Sequence, residues 1–107
     1  MVYNKLVRDK IPEIIEANDC ECNIKYIEGE ELKEALGAKL VEEVCEFLDA
    51  EMDIEELADI FEVIDAIIKF NNWSRKDVVK LQTDKRKRRG AFNKGIFLID
   101  TDEEDRD

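Results

Sequence analysis

The residues best suited to chemistry in this chain are carboxylates, grouped on two consecutive stretches of helical pattern. Glu42-Glu43-x-x-Glu46 is followed by Glu56-x-x-Asp59, and Glu62 continues the second series one turn later. Residues three and four apart share a helix face. Each cluster therefore sets acidic groups side by side, and antiparallel pairing of the helices would bring both sets together. Two carboxylates ~6 Å apart repel by roughly 3 kcal/mol at an effective dielectric near 20. A hard divalent cation, which prefers oxygen ligands, resolves that conflict. Magnesium, with manganese as a substitute, keeps several waters and completes its shell with substrate phosphate oxygens. The pattern thus points to metal-activated water acting on a phosphate ester or anhydride. Glu43, Glu46, Glu56 and Asp59 are the expected ligands. Glu42 and Glu62 are candidates for a second metal or for positioning the attacking water.

A phosphate site also needs countercharge beyond its metal. Lys39 precedes Glu43 by one turn on the same face, and Lys5, Arg8 and Lys10 stand before the first helix. Arg89 and Lys94 flank a Gly90-x-Phe92 turn, preceded by the basic run Lys85-Arg-Lys-Arg-Arg89. That run also reads as a solvated helix C-terminus favoured by the helix dipole. Phe92, Tyr3, Tyr26 and Trp73 are aromatic groups able to stack on a base, although packing is the commoner use of such side chains.

The elements that must position these residues follow from periodicity and punctuation. Asp9 to Ala17 reads as a short helix with Pro12 tolerated in its first turn. Glu21 to Ile27 alternates polar and apolar residues as a short strand or extended segment. Between Ala38 and Arg89 there is neither proline nor glycine, which leaves room for long helices. Leu36, Leu40, Val44, Phe47 and Leu48 give a helix from Glu30 to about Ala50 one apolar stripe. Ile54 to Phe70 carries a wider apolar face through Leu57, Ile60, Phe61, Val63, Ile64, Ile67 and Ile68, which predicts a central helix and an oligomer. Ser74 and Asp77 resemble a capping box for a fourth, basic helix that Gly90 ends. Ile96 to Ile99 reads as a strand or a docking tail. The expected fold is all-α, a bundle of about four helices over residues 1–99, with a disordered acidic tail over 100–107.

Composition excludes several classes. With 107 residues, the chain has room for one modest core, and 42% charged residues suit a helical protein with a heavily charged surface. The net charge of -11 argues against general nucleic-acid binding. No apolar run reaches the ~20 residues of a membrane span, and nothing at the start resembles a signal peptide, so the cytoplasm is expected. The three cysteines, Cys20, Cys22 and Cys45, form neither a disulfide framework nor, without histidine, a zinc site. The lack of histidine also removes Ser-His-Asp and Cys-His catalysis. Any catalysis here runs on carboxylates, cations and a metal.

Taken together, Glu42-Glu43-x-x-Glu46 and Glu56-x-x-Asp59 resemble the E-E-x-x-E…E-x-x-D signature of the all-α nucleotide pyrophosphohydrolases. This superfamily includes MazG, dimeric dUTPases and phosphoribosyl-ATP pyrophosphohydrolase. Tyr3-Asn-Lys-Leu-Val-Arg-Asp-Lys-Ile-Pro12 and Lys87-Arg-Arg-Gly-Ala-Phe-Asn-Lys-Gly-Ile96 are similar to its short, MazG-like house-cleaning branch. The resemblance spans about residues 3–98. It implies an all-α bundle that dimerises, with magnesium held by Glu43, Glu46, Glu56 and Asp59 and assisted by Glu42. It implies attack of water on the α-phosphorus of a damaged or non-standard nucleoside triphosphate, giving a monophosphate and pyrophosphate. Lys5, Arg8, Lys10, Lys39, Arg89 and Lys94 would face the triphosphate. Nine residues separate Glu46 from Glu56, fewer than MazG-type motifs usually have, which favours one metal over two. Two alternatives stand beside this reading: the phosphoribosyl-ATP reaction of histidine biosynthesis, and a non-catalytic helical module that binds nucleotide or protein partners.

Overall fold

Four α-helices form in a chain with no strand among the described residues, 1–102 of this computed structural model: α1 (Ile11–Ala17), α2 (Gly29–Asp49), α3 (Ile54–Phe70) and α4 (Arg75–Arg89). The all-α expectation holds, and α3 has the expected bounds. Of the alternatives read for Glu21 to Ile27 (strand or extended segment) and Ile96 to Ile99 (strand or docking tail), the strand does not form in either, since neither finds a neighbouring strand to pair with. Positions 103–107, most of the acidic tail expected to be disordered, lie outside the described residues. Among the described residues no helix is long and apolar enough to cross a membrane.

The chain divides into two compact units, Met1–Arg75 and the remainder from Lys76. In the first, α2 and α3 pack against each other, joined by only residues 50–53, so they run antiparallel. The reversal is built from hydrogen bonds rather than glycine. Glu51 N–H donates to the Leu48 carbonyl at 3.1 Å and Met52 N–H to the Phe47 carbonyl at 2.9 Å. This is the Schellman pattern, with Glu51 at a left-handed φ of 55° where glycine is usual. The same pattern closes α1 through Asp19 (φ 60°) and α3 through Asn72 (φ 58°).

The core is small. Leu36 of α2 and Val63 and Ile68 of α3 are the buried apolar residues. Of the rest of the expected stripes, Leu40, Phe47, Ile60 and Ile67 are half-buried, while Leu48 at 55% and Phe61 at 52% are exposed. A hairpin covers one face of each helix, and α3 carries more apolar surface than one partner can cover. In the second unit, α4 has no buried residue and ends at Gly90 (φ 84°), whose N–H donates to the Arg86 carbonyl at 2.8 Å. The Ile96–Ile99 run that follows it is exposed.

Candidate metal centre and cleft

Because α2 and α3 turn back on each other at residues 50–53, the end of α2 faces the start of α3. That geometry gathers the acidic clusters. One carboxylate oxygen from each of Glu43, Glu46 and Glu56 lies within 4.8 Å of the others. Glu43 is the only buried charged residue among those described. Its Oε2 and the Oε2 of Glu56 are sealed from water with no hydrogen-bond donor. A buried carboxylate oxygen without a donor costs free energy, and here two belong to one cluster. The electrostatics carry the same mark. Glu43 lifts the Glu46 carboxyl above its ordinary range, mainly by charge repulsion. Desolvation, then repulsion from Asp59, Glu43 and Asp53, lifts Glu56. All-oxygen ligands, repulsion and missing donors fit a hard divalent cation.

The remaining acidic residues of the two series, Glu42, Asp59 and Glu62, face cations. Glu42 accepts from Lys39 Nζ and Lys5 Nζ, both at 2.8 Å, and these hydrogen bonds hold its carboxyl below the ordinary range. Lys39 also reaches Glu43 Oε1 at 3.3 Å. Burial pushes the Lys39 ammonium down, but its bonds to Glu42 and Glu43 outweigh that, so its pKa is raised. Asp59 Oδ1 accepts from Arg8 Nη2 at 2.7 Å, and Arg8 Nη1 stands 3.9 Å from Glu62. Of the four expected ligands, then, the fold brings Glu43, Glu46 and Glu56 together, while Asp59 is paired with a guanidinium.

Beside this cluster lies a cleft of about 690 Å³, a size that suits a small-molecule ligand. Arg8, Lys10 and Lys39 line it with Glu43, Asp59 and Glu62, so six residues singled out from the sequence converge there. Its apolar wall, Leu6, Val7, Leu32, Leu36, Val63, Ala66 and Phe70, was missed, as were Asp9 and Lys69. The signal was present: positions 32, 36, 39 and 43 of α2, and 59, 63, 66 and 70 of α3, each follow steps of three and four that mark one helix face. Arg89 and Lys94 belong to the second unit, where they line a concavity of about 340 Å³ with Phe92 and Ile96. Lys5 neutralises Glu42 without lining the cleft.

Compared with known protein families, with curated proteins and with solved structures, the chain matches none.

Proposed function

We propose that the protein is a magnesium-dependent nucleotide pyrophosphohydrolase, acting in the cytoplasm on damaged or non-standard nucleoside triphosphates. The observation that carries this reading is the Glu43–Glu46–Glu56 cluster with its two buried, donorless oxygens. Those three carboxylates would hold Mg²⁺, which when bound draws in phosphate oxygens and activates water for attack on the α-phosphorus. Glu43 has its second oxygen near Lys39, which fixes the side chain and tempers the repulsion within the cluster. Lys10, Lys39 and Arg8 supply positive charge to a polyphosphate lying along the cleft. The apolar wall ending at Phe70 offers a surface to a base, away from water.

Pyrophosphate release from a nucleotide panel tests this. Turnover should require Mg²⁺ and be nearly abolished by Glu43→Gln or Glu56→Gln, while helicity is unchanged. Full turnover in both variants rules the site out. Cleavage of phosphoribosyl-ATP alone selects the histidine-pathway reaction, and absence of any metal-dependent turnover selects a binding module.

The same reading includes a homo-oligomer. Val41, Leu48, Ile54 and Phe61 leave apolar surface of α2 and α3 exposed in the single chain, and surfaces of that kind mark association. A monomeric mass at micromolar concentration would contradict it.

A further inference from the structure

Asp59 stands one helical turn from Glu56, close enough for the two carboxylates to repel. Its Oδ1 is nevertheless turned to Arg8 at 2.7 Å, across 51 residues of sequence. Arg8 sits on the segment before α1, which has no regular structure, and is also one of the residues lining the cleft. At Asp59 a protein cation therefore occupies the role that a metal ion would take in the adjoining cluster.

We propose that Arg8 is an exchangeable counter-ion: a divalent cation arriving at Glu43, Glu46 and Glu56 takes Asp59 from Arg8, and the freed guanidinium turns to the phosphates of the bound nucleotide. The proposal rests on the metal-centre reading above and adds to it the way metal and substrate binding are coupled. Three features favour the exchange. The Arg8–Asp59 pair is half exposed, at 54% and 40%, and such pairs are weakly held. A guanidinium matches phosphate oxygens as well as carboxylate oxygens, so Arg8 finds an equivalent partner in the substrate. Finally, Lys5 binds Glu42 Oε1 at 2.8 Å, which tethers the same segment to α2 while Arg8 moves. No covalent step is involved; one cation replaces another at Asp59.

The test uses the full chain without nucleotide, titrated with Mg²⁺ by calorimetry and with Mn²⁺ by electron paramagnetic resonance of the free ion. Arg8→Gln should bind either metal roughly two- to fivefold more tightly, the scale of one exposed ion pair. In an Asp59→Asn background the same substitution should change nothing. Arg8→Gln should also raise KM for the triphosphate at saturating metal, the opposite sign to its effect on metal affinity, whereas a merely structural pair would weaken both. Arg8→Lys, which keeps the charge, should restore wild-type metal affinity. In wild-type protein the Arg8 side-chain ¹⁵N resonance should shift when Mg²⁺ is added; an unchanged resonance overturns the exchange even if Arg8→Gln fails to fold. Metal bound equally by wild type and Arg8→Gln overturns the exchange alone. Metal bound by neither overturns the metal centre, and the exchange falls with it.

Discussion

Two regions of the α2–α3 hairpin hold carboxylates in opposite conditions. Under the N-terminal segment, Glu42, Asp59 and Glu62 face Lys5, Lys39 and Arg8. Beyond it, Glu43, Glu46 and Glu56 crowd within 4.8 Å with a single lysine contact, at 3.3 Å, among them. The contrast is sharpest at Glu42 and Glu43, adjacent in sequence. Glu42 is held by two ammonium groups, while Glu43 is more buried and keeps one oxygen with no donor. A hairpin selected for stability alone would spread its lysines over both regions. The uneven distribution leaves one region ion-paired and the other a cluster of carboxylates short of donors.

Metal addition should separate the regions most strongly. A ligand bound only to the folded state at a hundred times its dissociation constant stabilises by about 2.7 kcal/mol. Mg²⁺ should raise the melting temperature of wild type accordingly, and Glu43→Gln or Glu56→Gln should remove the rise. Glu42→Gln should retain most of it, because Glu42 already has its cations. Equal loss in all three variants would erase the distinction between the regions.

Acidity gives a smaller effect with opposite signs. In chelator, Glu46 and Glu56 have carboxyls raised above the ordinary 4.5. Their contribution to stability is fully present below 4.5 and is lost as pH rises through the raised values. Glu42, depressed below 4.5, contributes above that value and loses the contribution as pH falls through its own lowered pKa. Metal-free wild type should therefore gain melting temperature relative to Glu46→Gln/Glu56→Gln when acidified toward 4.5. Its advantage over Glu42→Gln should hold down to that point and shrink below it. Saturating Mg²⁺ should cancel the first trend and leave the second. Parallel curves for both comparisons would mean that the cluster is not electrostatically strained.

The gathering of carboxylates between two helices was legible in the sequence; their division into paired and crowded groups was not. The i,i+3 spacing of Glu43 with Glu46 and of Glu56 with Asp59, and the short connection at residues 50–53, sufficed to place acidic groups face to face. The bounds of α3 were legible because its apolar steps are uninterrupted. What spacing could not reveal is which carboxylate receives which cation. Arg8 meets Asp59 only because an irregular segment crosses the hairpin, and no helical period describes that path. The Glu51 turn was hidden for a similar reason, since a left-handed residue that is not glycine leaves no mark in composition. For Glu21–Ile27 the alternation left strand and extended segment open, and no strand forms because none lies beside it to pair with.

The smallest expected effect bears on whether the paired region is a counter-ion device or part of the framework. Lys5 is 38% exposed and shares Glu42 with Lys39, which stands 2.8 Å from the other carboxylate oxygen. Lys5→Gln therefore orphans no buried charge, and its cost should be that of an exposed ion pair, below about 1 kcal/mol. Lys39 is different: only 16% exposed, it touches both Glu42 and Glu43. Lys39→Gln strips the buried Glu43 of its one cation, a loss for which the breaking of a buried pair sets an upper scale of about 3–5 kcal/mol. Urea midpoints with unchanged m-values would compare the two directly. If Lys5→Gln cost as much as Lys39→Gln, the N-terminal segment would be a structural brace on α2. A small cost confined to the midpoint would leave it as a loosely tethered carrier of charge, the condition that exchange at Asp59 requires.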